Sequence, residues 1–215
     1  MKILQIIFSL VLASYVFATY GLDMSIYQGD PALSDFQCLK KDGYDFAILQ
    51  AQTSNGGYNP YVKSQFEKCH QAEINYVDVY IFPDVSKDAA SQIHTTVSKA
   101  IGDGVLTGKN MIWLDIEPYK WSSNHQTNID FIAAMISECE KVYNIKPGIY
   151  SNWNSWSEIT GGTTRFSSYQ IWYPHYDGSA SFSDFEPFGG WSKPNIKQFQ
   201  GTTSICGTEI DKDFY

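Results

Sequence analysis

Short apolar runs closed by polar residues alternate along this chain with longer segments whose apolar residues recur every three or four positions. The runs are Tyr20–Gly29 (apolar first, polar after), Phe46–Gln52, Tyr76–Phe82, Met111–Pro118, Pro147–Tyr150, Gln170–Tyr173 and Ile196–Gln200, with a last one around Ile210 and Asp211. Runs of this kind suit strands covered on both faces. Between them, helical spacing appears at Leu33, Phe36 and Leu39, and at Val62, Phe66 and Cys69. It recurs over residues 86–101 and from about Asn124 to Tyr143. Strands alternating with helices predict a parallel sheet with crossovers. Roughly eight strand candidates predict closure into a barrel. The second half leaves little room for helices, so the expected fold is an α/β, irregular TIM-like (β/α) barrel with fewer helices than strands.

Active sites in parallel β/α folds gather at the carboxyl ends of the strands. The residues expected there are Asp23, Gln50 with Gln52, Tyr80 with Phe82, Asp115 with Glu117, Tyr150, Trp172, Gln200 and Asp211. The central feature is Met111-Ile112-Trp113-Leu114-Asp115-Ile116-Glu117-Pro118, where two carboxylates two residues apart share one face at a strand's end. Such a pair is what acid catalysis needs, one carboxyl held protonated by apolar walls while the other tunes it. A solvated strand end and a calcium-ligand pair are the blander readings. Carboxylates among tyrosines and tryptophans suit a carbohydrate site, because rings stack on sugar faces and acids act at the glycosidic centre. Tyr80, Tyr150, Trp172 and Gln200 are the substrate-binding candidates, although each ring is also a plausible core residue. No histidine lies beside a nucleophile-elbow pattern, and only His175 follows a strand end. Gly56-Gly57 and Gly161-Gly162 lack a phosphate-cradling context and read as turns.

The length of 215 residues is that of one large domain. Met1-Lys2, the apolar stretch Ile3–Leu12 and the small residues up to Ala18 read as a cleaved secretory signal over residues 1–18. Residues 19–215 are then the catalytic domain, a soluble monomer that is secreted or carried to a lysosomal or phagosomal compartment. The cysteines Cys38, Cys69, Cys139 and Cys206 all follow the signal. An even number in a secreted chain predicts two disulfides, in any of three connectivities. Their spacing is too wide for a compact zinc site, and no metal or cofactor is expected. The net charge of -8 becomes -9 once Lys2 leaves with the signal, which argues against nucleic acid and anionic membrane as partners.

The ordered set Gly21-Leu22-Asp23-Met24-Ser25 with Gln28-Gly29, Leu114-Asp115-Ile116-Glu117, Gly148-Ile149-Tyr150-Ser151, Ile171-Trp172-Tyr173 with His175-Tyr176, and Lys197-Gln198-Phe199 with Ile210-Asp211 resembles the Chalaropsis-type lysozymes. These form family 25 of the glycoside hydrolases. The resemblance spans essentially the whole chain after the signal. It implies hydrolysis of the β-1,4 bond between N-acetylmuramic acid and N-acetylglucosamine in bacterial peptidoglycan, with antibacterial defence or digestion as the setting. It implies Glu117 as general acid, Asp115 as its partner carboxylate, and Asp23 and Asp211 as further acids of the cleft. It also implies, as one option, a route in which the substrate's N-acetyl group is the nucleophile and Asp115 orients it. One departure stands out: Gln50-Ala51-Gln52-Thr53-Ser54 replaces a threonine-glutamate-glycine sequence. Two other readings follow: a peptidoglycan-binding protein of the same fold with impaired catalysis, and a hydrolase of another N-acetylated glycan such as chitin.

Overall fold

The computed structural model describes residues 19–215; the signal expected at residues 1–18 lies outside them. Eight strands close a barrel in chain order. They are β1 (Tyr20–Met24), β2 (Tyr44–Gln52), β3 (Tyr76–Ile81), β4 (Ile112–Asp115), β5 (Gly148–Tyr150), β6 (Ile171–Pro174), β7 (Ile196–Ile205) and β8 (Thr208–Phe214). Five helices cover it: α1 (Leu33–Lys41), α2 (Val62–Gln71), α3 (Ala89–Gly102), α4 (His125–Tyr143) and α5 (Trp153–Thr160). The irregular barrel with fewer helices than strands is therefore what the chain forms.

Two expectations need correction. β1 to β7 pair in parallel, but β8 runs antiparallel to both β7 and β1. Only Cys206 and Gly207 separate β7 from β8, and a parallel crossover takes a dozen residues or more. Both turn residues have positive φ (55° and 81°), the conformation that lets a two-residue hairpin follow the strand twist. The eight-residue α5 was not foreseen, because little room for helices was expected in the second half, yet the gap between β5 and β6 is as long as the one between β1 and β2 that holds α1. Helix α5 forms because Asn152 caps its first turn by accepting from the Ser155 amide (2.9 Å), and left-handed Gly161 ends it.

The pleat sorts side chains into two cores. Leu22, Met24, Ala47, Leu49, Val79, Ile81, Leu114 and Ile149 point outward into a layer shared with the helices. Phe46, Ile48, Tyr80, Trp113, Tyr150, Trp172 and Ile196 point inward and fill the barrel. The filling is tight: a Cβ on Gly21 would lie 2.2 Å from the Phe46 ring, and one on Gly148 would lie 2.4 Å from Trp113. These rings form a solid floor beneath the strand ends, so any ligand is confined to the mouth.

The two-disulfide expectation also fails. Cys38 on α1 is bonded to Cys206 in the β7–β8 turn, whereas Cys69 and Cys139 are buried free thiols. They lie on α2 and α4, which α3 separates around the barrel, so each packs as a small apolar side chain. Among the described residues no helix is long and apolar enough to cross a membrane.

Candidate active site

Alternation along the strands carries the acids to one place. Asp23 on β1, Asp115 on β4, and Asp211 and Asp213 on β8 all sit on inward positions, and Glu117 follows two residues after Asp115. The antiparallel register sets Asp23 opposite Asp211 and Gly21 opposite Asp213. Asp115 pairs with Tyr150 on β5. The chain beyond β4 is held by three bonds: the Ile116 amide donates to the Tyr150 carbonyl (2.8 Å), the Ser151 hydroxyl donates to the Ile116 carbonyl (2.7 Å), and the Trp121 indole donates to the Glu117 carbonyl (2.8 Å). Glu117 is thus fixed at the strand end with its carboxyl free to face the cleft.

Two clefts meet at Glu117. The one over the barrel axis, about 390 Å³, is lined by Asp23, Gln50, Tyr80, Asp115, Trp172 and Asp211 together with Tyr150, Tyr176 and Gln198. The other, about 600 Å³, opens between the loops after β5 and β6 and is lined by Trp153, Asn154, His175, Tyr176 and Glu186. Glu117, Tyr150 and Tyr176 border both.

Gln198 joins the acids to the rings. Its amide nitrogen donates to Asp23 (2.6 Å) and Asp211 (3.1 Å), while its oxygen accepts from the hydroxyls of Tyr150 (2.7 Å) and Tyr176 (2.8 Å). Asp211 also accepts from the Thr202 amide. Deeper in, the Trp172 indole donates to Asp213 (2.8 Å), and the Trp113 indole donates to Asp78 (3.0 Å).

Every acid of this group is harder to ionise than usual. Burial raises Glu117. Burial, then the charges of Glu117 and Asp23, holds Asp115 well above the carboxylate range. Asp23 is pushed up to about 8, by burial and then by Asp211. Asp211 is raised by burial, and Asp213 is raised far more, by burial and then by Asp23. One Asp115 oxygen, Oδ1, is buried without a protein hydrogen-bond partner. Among the described residues no lysine, arginine or histidine forms an ion pair with any of the five.

The sequence-derived residues fall into place unevenly. Asp23, Tyr80, Asp115, Glu117, Tyr150, Trp172 and Asp211 converge on the axial cleft. Gln200 does not line it: the register shifts between Gln198 and Gln200, and Gln198 occupies the inward position. Gln52 also leaves the cleft, because a bulge between Gln50 and Gln52 breaks the alternation. Its amide bonds Gln92 (2.8 Å) and accepts from Thr96 (2.6 Å), both on α3. In the divergent segment Gln50 stays at the site and accepts from the Ile26 amide (2.9 Å). Trp113 lies one layer below Asp115 and does not wall Glu117. Tyr80, Tyr150 and Trp172 are nearly buried and form the cleft floor; the open rings are Trp153, Tyr176 and, at the axial cleft, Tyr27, each more than half exposed. The sequence reading missed Gln198, Asp213 and Trp153. Asp213 had a legible signal, since it stands two residues past Asp211 on the same face.

Comparison with known proteins agrees with the barrel fold. The family model described as "Lysozyme-like protein 1" matches residues 15–199. "Probable GH family 25 lysozyme 2" of Dictyostelium discoideum is 38% identical over 206 residues, covering 95% of this chain and 94% of that protein. "Lysozyme-like protein 5" of Caenorhabditis elegans is 36% identical over 204 residues, covering 92% and 91%. "Counting factor 50" of Dictyostelium discoideum is 31% identical over 228 residues, covering 100% of this chain and 73% of that one. Among solved structures, a family GH25 lysozyme from Aspergillus fumigatus superposes with a TM-score of 0.74 at 21% identity, covering 91% of this chain and 93% of that one, and shares the fold. From its barrel, its acid cluster and these relatives, the chain belongs to the lysozymes of glycoside hydrolase family 25.

Proposed function

We propose that this glycoside hydrolase is a secreted N-acetylmuramidase that cleaves the β-1,4 bond between N-acetylmuramic acid and N-acetylglucosamine in bacterial peptidoglycan. The observation that carries this reading is the position of Glu117, a half-buried carboxyl with raised proton affinity at the junction of two clefts. A polymer cleaved there has a sugar on each side of the acid. Glu117 donates its proton to the leaving oxygen, as a general acid of raised pKa can do in mild acid. The axial cleft holds the sugar whose anomeric carbon reacts. The N-acetyl oxygen of that sugar attacks the carbon as the glycosidic bond breaks, and Glu117 then takes a proton from the water that opens the intermediate. Asp115 serves this route through its unpartnered buried oxygen, which suits the acetamido N–H. Asp23 and Asp211 line the axial cleft beside Asp115, where their carboxyl groups can hydrogen-bond the bound sugar, and Tyr80, Tyr150 and Trp172 form the apolar floor under the sugar ring. The leader sequence supports secretion, or delivery to a lysosome or phagosome, and a monomer is the default state.

The test is the clearing of a purified cell-wall suspension, with release of reducing ends on muramic acid, beside Glu117→Gln. The reading requires the wild type to clear and the variant to lose at least about a thousandfold in kcat while still pelleting with the walls. Unchanged turnover in Glu117→Gln removes that residue from the role. The divergent segment Gln50–Ser54 favours one second reading, a binding protein on the same scaffold. Wall binding without clearing by the wild type would establish it, and preference for soluble chitin oligomers would move the substrate to another N-acetylated glycan.

A further inference from the structure

Asp213 is a buried carboxyl that the proposed reaction does not use. It lies on the inward face of β8, fully enclosed, beneath Asp23 and Asp211. Its Oδ1 accepts from the Trp172 indole at 2.8 Å. Its Oδ2 is equally buried and has no N–H or hydroxyl neighbour to accept from. Asp213 is the diagonal neighbour of Asp23 across the β1–β8 pair and shares its inward face, and two carboxyl groups bond only through a proton carried by one of them.

The groups facing this pair leave one consistent assignment. From β1 comes Asp23 itself, and from β8 Asp211. From β4 and the residues after it come Asp115 and Glu117, and from β7 comes Gln198, whose amide donates to Asp23 and not to Asp213. Tyr80 and Tyr150 face inward from β3 and β5, and Tyr176 lies above them. The neighbouring cation Lys197 points to the other face of β7 and is bound by Asp177 and Asp184. Lys212 alternates outward between Asp211 and Asp213. An ionised Asp213 would be an uncompensated buried anion beside a second acid, which desolvation forbids at any reasonable cost. A neutral carboxyl has one acceptor oxygen and one O–H donor, and this site supplies one donor, Trp172, and one acceptor, Asp23.

We propose that Asp213 is a positioning residue, a carboxylic acid that donates its proton to Asp23 and fixes that side chain under the axial cleft. Asp23 then receives one donor from below and one from Gln198 at the side, so its orientation is set and its remaining lone pairs face the bound sugar. The donated hydrogen bond also favours the ionised form of Asp23, opposing the burial that raises it. The role rests on the muramidase reading, but the protonation state of Asp213 is separable from it.

Two experiments on the full chain decide the matter. Infrared difference spectra near neutral pH, wild type minus Asp213→Asn, should show loss of one protonated-carboxyl C=O stretch with the carboxylate bands intact. Loss of a carboxylate band instead overturns the proposal, whether or not the protein hydrolyses anything. In the wall-clearing assay, Asp213→Asn should restore what Asp213→Leu loses, because an amide also accepts from Trp172 and donates to Asp23. Asp213→Leu should fall about tenfold or more in kcat and move the Asp23 limb of the pH profile upward. An Asp213→Asn limb displaced downward would reveal a removed anion, and a wild-type profile in Asp213→Leu would leave Asp213 without a role; either result sinks the assignment. Failure of the wild type to clear walls would defeat the muramidase reading and leave the infrared result standing.

Discussion

The amide of Gln198 donates to Asp23 at 2.6 Å while its oxygen receives the hydroxyls of Tyr150 and Tyr176. One uncharged side chain thereby ties an acid at β1 to a ring at β5 and a ring after β6. Gln198→Leu keeps the bulk but removes the acceptor of the buried Tyr150 hydroxyl and of the Tyr176 hydroxyl, and takes one donor from Asp23 and one from Asp211. The expected result is a loss of about a hundredfold in kcat with little change in KM, since an unmet buried polar group costs roughly 1–3 kcal/mol and more when charged. Steady-state release of reducing ends measures it, and a change confined to KM would contradict the arrangement.

Thermal stability should peak in mild acid. Asp23, Asp115, Asp211, Asp213 and Glu117 all bind protons more tightly folded than unfolded, burial being the first cause in each. A raised folded-state pKa contributes stability that is complete below the unfolded value and is lost as pH rises through the folded one. For Asp23 that window ends near its raised value of about 8. Asp184 acts in the opposite sense. Burial works against its ionisation, but hydrogen bonds with His175, Lys197 and Tyr173 hold it down at about 2, so its contribution disappears as pH falls through that value. Calorimetry should show a Tm falling from mild acid towards pH about 8. Asp23→Asn, which cannot ionise, should flatten that fall; an unaltered slope would refute it.

Thiol titration separates the two classes of cysteine. In denaturant without reductant two thiols should react, those of Cys69 and Cys139, and four after reduction. The Cys38–Cys206 bridge closes a separation of 168 residues, so the Cys38→Ser/Cys206→Ser variant should lose on the order of 3–5 kcal/mol in denaturant unfolding. Reactivity of no thiol before reduction would mean that Cys69 and Cys139 are paired after all.

The β5 and β6 loops should govern how much of the polymer is gripped. Trp153 is 56% exposed beside the larger cleft, and nothing in the barrel needs it there. Trp153→Ala should raise KM on cell walls about five- to tenfold, with kcat nearly unchanged, and Trp153→Tyr should recover most of the loss. Equal KM values for wild type and alanine variant would place the glycan elsewhere.

The buried ion cluster below that cleft gives a stability prediction. Lys197 is fully enclosed and lies 2.9 Å from both Asp177 and Asp184. Lys197→Met should destabilise the fold by about 3–5 kcal/mol, because it leaves carboxylates without their cation in a partly dry site. A change below about 1 kcal/mol in denaturant unfolding would show that water already screens them.

Local pattern determined the order of the elements and the identity of the acids. Continuous apolar runs such as Phe46–Gln52 and Met111–Pro118 specify strands buried on both faces, and a parallel barrel must carry its polar residues at the strand ends, so Asp23, Asp115, Glu117 and Asp211 were legible in advance. The tertiary structure alone decided what depends on register and closure. The bulges after Gln50 and Gln198 turned Gln52 away and replaced Gln200 by Gln198, because one inserted residue reverses the face of all that follow. The two-residue turn at Cys206 and Gly207 made β8 antiparallel, which brought Asp213 under Asp23 and Cys206 to Cys38. No spacing along the chain encodes those pairs, since their partners lie at opposite ends of it and meet only when the last strand closes the barrel.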